Sequence, residues 1–281
     1  MLAPSIALCC AAYAPADAQR SSPRPRAASE SLPGRVVDVN AGDYFFEAPD
    51  SVPAGIITLR LWQRGDMGHM LWLVRLPPGR TVADLHRDEV RHAPTSWAEQ
   101  LGGPGYANPA VSSNATYQLT PGDYALVCYV GSGRGVDSLY HVWRGMIRPL
   151  RVTAAAGGRA RALVPPTPAA VARITNDSLS WSAPLRPGRR LVRVENRTSA
   201  WREFVLERVL EGRTIEEAQR WRRRSGTLLP TVAIGGLASL PPGGSIATTL
   251  ELPPGDYVVK THVARDSGLY ALRLRRAPTT R

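Results

Sequence analysis

The chain has 281 residues and carries 35 Lys and Arg against 23 Asp and Glu, which gives a formal net charge of +12. It is 43% hydrophobic and 21% charged, a balance typical of folded globular proteins and not of disordered chains. No run reaches the roughly 18 apolar residues that a membrane-spanning helix needs, so no transmembrane segment is predicted. The length allows two ordinary domains, and the 25 Gly and 25 Pro favour short strands joined by turns.

Residues 1–18 resemble a bacterial export signal. Residues 2–14 are mostly small and apolar, and Ala16-Asp17-Ala18 matches the A-x-A pattern of a cleavage site, although no basic residue precedes the apolar run. We therefore expect a periplasmic or secreted protein. Residues 19–34 are rich in Ser, Pro and Arg and are predicted to form a disordered lead-in.

The positive charge is concentrated in the C-terminal part of the chain. Residues 35–153 contain 11 Arg and 11 acidic residues, whereas residues 154–281 contain 21 basic and 10 acidic residues. The cluster formed by Arg220 and residues 222–224 is either a solvated helix end or a docking surface for an acidic partner. We do not expect nucleic-acid binding, because the chain is predicted to be exported and its Arg residues are not interleaved with aromatic ones.

Two segments of the sequence repeat at one fixed offset of 133 residues. Leu73–Thr81 resembles Leu206–Thr214, and the tetrapeptide at residues 121–124 recurs at residues 254–257 as Pro-Gly-Asp-Tyr. Independent chance matches would not share one register, so the offset predicts an internal duplication.

Each repeat unit has the pattern of a β-sandwich. Pro- and Gly-rich turns separate short apolar or alternating runs, and Thr81 and Thr214 each predict the N-terminus of a helix. In the first unit the predicted strands are Ile56–Trp62, Met70–Leu76, Ala115–Leu119, Tyr124–Val130 and Met146–Val152. We therefore predict an all-β chain of two tandem Greek-key domains, at residues 35–153 and 170–281, each with a short helical excursion. Residues 154–169 would be the linker.

Four residues of the first unit have the chemistry of a mononuclear copper site. A blue-copper centre takes two imidazoles, one thiolate and a weak axial thioether. Cys128 ends a predicted strand, His141 and Met146 follow it on one loop, and His69 stands at the start of an earlier strand. Each residue alone could be a core or loop residue. Together they predict one copper ion, and Cys128 is the single cysteine outside the predicted signal.

The same residues resemble the ligand motifs of the cupredoxins. Met67-Gly68-His69 before an apolar strand resembles the upstream ligand segment of azurins. Tyr124–Cys128, followed by His141 and Gly145-Met146, resembles the ligand loop of plastocyanins, azurins and copper nitrite reductases. The resemblance is good over residues 36–153 and weak over residues 170–276.

The resemblance implies that His69, Cys128 and His141 are equatorial ligands and that Met146 is axial. Two features depart from the family. The C-x12-H spacing is longer than in plastocyanins, and Met70 stands where azurins and plastocyanins carry an Asn that ties the ligand loops together. We therefore expect that support for the ligand loops comes from elsewhere in the chain.

The second unit lacks the ligand set. At the 133-residue offset His69 corresponds to Arg202 and Cys128 to Thr261, and no methionine follows Thr261. We therefore predict a degenerate domain that keeps the sandwich and has no metal ligands.

Copper held by Cys, two His and Met is suited to outer-sphere electron transfer with a redox partner protein, here an acidic one. The resemblance implies that His141 lies near the surface within an apolar patch, for which Tyr140, Val142 and Trp143 are the candidates. Catalytic copper, as in oxidases and nitrite reductases, is disfavoured because Val127 occupies the position of their additional histidine. A metal-free exported binding module with a vestigial copper site is the remaining alternative.

Overall fold

The strands of this computed structural model fall into two halves of the chain. The structure describes residues 32–105, 112–132, 139–155, 165–221, 228–261 and 269–275. We call residues 35–153 the first half and residues 170–281 the second half. The strands of the first half are β1 (Arg35–Gly42), β2 (Phe45–Glu47), β3 (Ser51–Pro53), β4 (Gly55–Gln63), β5 (Trp72–Leu76), β6 (Glu99–Pro104), β7 (Ser113–Leu119), β8 (Gly122–Val127), β9 (Gly131–Ser132), β10 (Leu139–Tyr140) and β11 (Ile147–Thr153).

The second half supplies eight further strands among its described residues. They are β12 (Ala170–Ile174), β13 (Leu179–Trp181), β14 (Gly188–Asn196), β15 (Arg202–Val209), β16 (Thr231–Leu240), β17 (Ser245–Leu252), β18 (Gly255–Lys260) and β19 (Leu269–Leu274). The predicted all-β class is therefore confirmed.

The strands form two large sheets, and each sheet runs through both halves. One sheet has the order β13-β12-β14-β17-β7-β4-β1-β2, and the other has the order β19-β18-β15-β16-β6-β5-β8-β11-β3. Most neighbours are antiparallel, while β1 with β4, β3 with β11 and β12 with β14 are parallel. β9 and β10 form a separate two-stranded ribbon.

Each half has its own hydrophobic core between the two sheets. In the first half β1 and β4 contribute one side of the core and β5, β8 and β11 the other. In the second half β14 and β17 face β15 and β18 in the same way. Residues 32–281 nevertheless cluster as one compact unit.

Two helices, each begun by a capping box, pack on the outer face of the nine-stranded sheet. The hydroxyl of Thr81 accepts the Asp84 N–H at 3.1 Å and the Asp84 carboxylate accepts the Thr81 N–H at 2.9 Å. These bonds begin α1 (Val82–Val90). Thr214 and Glu217 make the same pair of bonds at the start of α2 (Ile215–Arg220). Among the described residues no helix is long and apolar enough to cross a membrane.

The halves are joined through equivalent strands. β6 pairs antiparallel with β16, with Pro104 opposite Leu237, and β7 pairs antiparallel with β17, with Thr116 opposite Ala247. Pro104 and Leu237 are themselves 133 residues apart. Equivalent strands that meet in opposite directions give the junction an approximate two-fold relation.

Glycines allow the close approach at this junction. A Cβ on Gly103 would lie 2.0 Å from the carbonyl oxygen of Leu71, and one on Gly236 would lie 2.0 Å from that of Phe204. Gly236 also has a φ of 132°, which only glycine adopts readily. These two glycines are 133 residues apart, so both halves present the same narrow strand to the junction.

Asn114 provides the strongest polar link between the halves. Its side-chain NH₂ donates to the Thr249 carbonyl, and its side-chain oxygen accepts the Thr249 N–H, both at 2.8 Å. Its own carbonyl accepts the Thr248 hydroxyl at 2.8 Å. These buried bonds extend a β7–β17 ladder that is otherwise short.

Several predictions concern residues outside the described ranges. They are the export signal over residues 1–18, almost all of the lead-in over residues 19–34, and residues 156–164 of the predicted linker.

The amide of Asn114 is expected to stabilise the joined halves. Replacing Asn114 with Ala leaves the buried Thr249 N–H and carbonyl without partners, so the free energy of unfolding should fall by about 2 kcal/mol. Urea unfolding followed by circular dichroism measures this change. The control is Gln118→Ala on the same strand, where the exposed side chain should change stability by less than about 0.5 kcal/mol. Equal stabilities of the two variants would show that the amide does not hold the junction.

Candidate metal centre

Three donor atoms converge in the core of the first half. The Nδ1 atoms of His69 and His141 lie 3.1 Å apart. The Cys128 Sγ lies 3.9 Å from His69 Nδ1 and 3.6 Å from His141 Nδ1. All three side chains are buried, and theirs is the single group of potential metal-ligating residues found in the part of the chain that the structure describes.

The spacing of these atoms fits a small metal ion. An ion bound at about 2.0 Å to nitrogen and about 2.3 Å to sulfur in a trigonal plane separates nitrogens by about 3.5 Å and nitrogen from sulfur by about 3.7 Å. The observed separations of 3.1, 3.6 and 3.9 Å lie close to these values. The three residues therefore fit a metal site without rearrangement of the backbone.

Backbone hydrogen bonds hold the loop that carries His141. Cys128 follows β8, and His141 begins a short 3₁₀ helix, His141–Arg144. The His141 N–H donates to the Val130 carbonyl at 2.8 Å, and the Val142 N–H donates to the Cys128 carbonyl at 2.9 Å. These bonds fix the two ligand segments against each other.

Met146 lies in the same structural unit as the three donors. Its N–H donates to the His141 carbonyl at 2.9 Å, and its carbonyl accepts the Cys128 N–H at 3.1 Å. Its side chain is buried in the hydrophobic cluster that also contains Cys128. The structure therefore groups all four predicted residues at one end of the first core.

His69 is held from both ends by polar contacts. The side-chain amide of Gln63 donates to the His69 carbonyl at 2.7 Å. The His69 Nε2 lies 3.4 Å from the Asp43 carboxylate, which also accepts the N–H of Met67 at 3.2 Å. A proton on Nε2 directed to Asp43 leaves Nδ1 free to act as a donor toward the site.

Tyr44 covers His141. The two rings meet edge to face with centroids 5.0 Å apart, and the Arg144 guanidinium lies over the Tyr44 ring at 5.2 Å. Tyr44 has a φ of 68°, an uncommon conformation for a residue with a large side chain. The turn between β1 and β2 thus contacts one imidazole through Asp43 and the other through Tyr44.

The expected surface position of His141 is wrong. His141 is 1% exposed because Tyr44 lies over it, and Val142 is buried as well. Of the predicted patch, Tyr140 is 46% exposed, whereas Trp143 is half-buried. The exposed surface above the site is therefore formed by residues around the imidazole and not by the imidazole itself.

Burial keeps the empty set of donors uncharged. It raises the pKa of the Cys128 thiol to about 11 and lowers the pKa of His69. Burial, followed by the nearby His69, lowers the pKa of His141 to about 4. At neutral pH both imidazoles are therefore neutral, the protonation state in which histidine binds metals.

The backbone supports the sulfur in place of the missing asparagine. The backbone N–H groups of Met70 and Val130 hydrogen bond to the Cys128 sulfur and partly oppose the effect of burial on its pKa. Met70 therefore still ties the His69 segment to the cysteine, although its side chain is not that of Asn.

Sequence reasoning missed Asp43, Tyr44 and Gln63. All three contact ligands from positions at least six residues away in sequence, on elements whose placement depends on the assembled sheets. Apolar periodicity does not indicate such contacts. The Asp-Tyr pair within the β1–β2 turn was the available signal, and it was not specific.

The equivalent positions of the second half hold no comparable group. Arg202 opens β15 and Thr261 is buried, in the places of His69 and Cys128. His262 lies outside the described residues.

No family model and no curated protein matches the chain. Among solved structures, auracyanin from Roseiflexus castenholzii is 15% identical, with 43% of this chain and 98% of that chain covered and a TM-score of 0.30. For rusticyanin the identity is 19%, the coverage 43% and 79%, and the TM-score 0.26. For the blue copper oxidase of Nitrosomonas europaea the identity is 12%, the coverage 85% and 86%, and the TM-score 0.22. These similar structures are cupredoxins and a copper oxidase.

Proposed function

We propose that the chain is an exported, non-catalytic electron-transfer protein that holds one copper ion on His69, Cys128, His141 and Met146. The observation that carries the proposal is the convergence of two imidazole nitrogens and one thiol sulfur, 3.1 to 3.9 Å apart, in a buried core. Met146, buried beside them, would supply the weak axial thioether.

The donor set favours copper over zinc. Structural zinc sites take four strong donors, and catalytic ones take three with an open water position. Here the nearest carboxylate, Asp43, contacts the far nitrogen of His69, which leaves three strong donors and one thioether. That combination selects copper.

Burial of the donors favours electron transfer over bond chemistry. Copper would supply a one-electron couple between Cu(I) and Cu(II) at this site. Tyr44 lies over His141 and the three ligand side chains are buried, so the surrounding residues exclude water and leave no obvious position for a substrate. Gln63 and Asp43 hold His69, and the 3₁₀ helix holds His141, so the donors are positioned before an ion arrives.

We further propose that the halves are duplicated copies of one Greek-key unit, residues 35–153 and 170–281, joined by residues 154–169. Supporting this, β8 and β18 lie 133 residues apart, and both helices begin with a capping box. The Tyr124 hydroxyl donates to the carbonyl of Thr120, and the equivalent Tyr257 hydroxyl donates to that of Pro253. In this proposal the second copy has lost its ligands as a set.

The charge of the second half supports an acidic redox partner. Its excess of 11 positive charges over residues 154–281 would attract and orient a negatively charged protein. The export signal proposed for residues 1–18 would bring the two together outside the cytoplasm.

Copper should colour the purified protein. We expect the wild type to bind one Cu(II) per chain with an intense thiolate-to-copper absorption band, and Cys128→Ser to lack that band. Met146→Leu should keep the band and raise the reduction potential, because loss of the thioether electron pair disfavours the more highly charged ion.

Absorption titration and voltammetry measure these properties. A wild type that stays colourless and takes up no copper would contradict the proposal and favour a metal-free binding module. Retention of the full band by Cys128→Ser would exclude the cysteine as the ligand.

Asp43 should strengthen metal binding through His69. Replacing Asp43 with Ala removes the acceptor for His69 Nε2–H, and we expect the copper affinity to fall roughly ten- to a hundred-fold. Asp43→Asn keeps an acceptor oxygen and should lose less. Competition with a chelator of known affinity measures the change.

Asp123→Ala is the matched control for Asp43. Asp123 is an exposed carboxylate that pairs with Arg151 at the far end of β8, so its loss should leave copper affinity unchanged. Equal affinities of the Asp43 and Asp123 variants would remove the assigned role of Asp43.

A further inference from the structure

An aromatic stack crosses from the first half to the second. Trp72, at the start of β5, stacks on Trp201 of the second half with ring centroids 5.2 Å apart and an angle of 20° between the rings. On its other side Trp72 meets the Tyr129 ring at 4.6 Å. Three aromatic rings therefore lie in series, one of them on the residue that follows Cys128.

Two routes connect Cys128 with Trp72. Cys128 lies in the core between the sheets, whereas the next residue, Tyr129, packs on the outer face of the nine-stranded sheet. The second route passes through Met70, whose N–H hydrogen bonds to the Cys128 sulfur and whose Sδ accepts the Trp72 indole N–H at 3.2 Å. Met70 thus contacts both the ligand sulfur and the first ring of the interhalf stack.

The loop that presents Trp201 is rigidly held. The side-chain amide of Asn196 donates to the carbonyls of Ala200 and Leu240, at 2.8 and 3.0 Å. Its oxygen accepts the Thr198 N–H at 3.0 Å. Asn196 lies 133 residues after Gln63, which holds the His69 loop in the same manner. The second half therefore keeps the support of a ligand loop and uses that loop to place a tryptophan against the first half.

We propose that Met70, Trp72 and Trp201 form an electron path between the metal site and the second half, with Tyr129 as a parallel branch. The inference rests on the proposed copper function. In the oxidising direction one electron leaves the ion held by Cys128 and reaches a one-electron acceptor at Trp201. The charge of the ion rises by one, that of the acceptor falls by one, and no proton or covalent bond changes.

The acceptor at Trp201 would be an anionic one-electron carrier. The second half has 11 more positive than negative charges over residues 154–281, whereas the first half is neutral overall. Negatively charged carriers are therefore concentrated at the half on which the path ends, in a manner that salt screens.

The test compares two inorganic oxidants on the reduced, copper-loaded protein. Ferricyanide is an anion and tris(phenanthroline)cobalt(III) is a cation, so they favour opposite surfaces. We expect Trp201→Leu to slow oxidation by ferricyanide by about an order of magnitude, and Trp201→Phe to restore much of the rate. Oxidation by the cobalt complex should change little.

Met70→Leu tests the junction at nearly constant volume. It removes the Sδ contact with Trp72 and keeps the backbone N–H to Cys128, so we expect a smaller loss of the ferricyanide rate. Trp97→Leu is the control, because Trp97 is half-buried in the first half and contacts Asp88 and Arg80 instead of the stack. Reduction potentials and urea stabilities of all variants show whether driving force and folding are retained.

The metal-free protein provides a readout that does not need copper. Stacked indoles couple in near-ultraviolet circular dichroism, and this signal should disappear in Trp201→Leu and remain in Trp97→Leu. Unchanged ferricyanide rates in folded Trp201→Leu and Met70→Leu proteins of wild-type potential would overturn the path while leaving the copper function standing. A wild type that binds copper but reduces neither oxidant would instead overturn the electron-transfer function, and the path with it.

Discussion

The candidate site depends on two imidazoles and one thiol that are packed together out of water. Burial of polar groups is unfavourable unless they are paired, and here the donors face one another at 3.1 to 3.9 Å. The same burial disfavours the imidazolium and thiolate forms, so no internal ion pair offsets the cost. A cation placed among the three atoms would satisfy them at once, and this need links the geometry to a metal function.

The two-sheet architecture makes such a core possible. His69 comes from the segment before β5 and Cys128 from the end of β8, two strands that pair in register from Trp72 with Val127 to Leu76 with Asp123. The second half contributes by covering β6 and β7, which would otherwise be unpaired edges. The ligand-free half therefore stabilises the sheets that carry the ligands, and its retention does not require a site of its own.

The sequence allowed the ligand set to be predicted because Cys128, His141 and Met146 are close along the chain and chemically distinctive. It did not predict Asp43 and Tyr44, because their contacts arise only when β1 is placed beside β4. The burial of His141 was missed for the same reason, since it follows from the left-handed conformation of Tyr44. The 133-residue offset predicted the repeat, but the direct pairing of β6 with β16 depends on narrow glycine strands, which hydrophobic patterning does not reveal.

The two ligand loops show how one local structure can serve different ends. In the first half Gln63 anchors a loop that delivers His69 to the core, and in the second half Asn196 anchors a loop that delivers Trp201 to the first half. Only the residue presented by the loop differs. Since Trp201 stacks on Trp72, and Trp72 donates to Met70 beside the ligand sulfur, the altered loop remains physically connected to the site that the second half lacks. A half that served only to cover sheet edges would not need an aromatic contact at this position, so the stack is the feature that most favours a functional link between the halves.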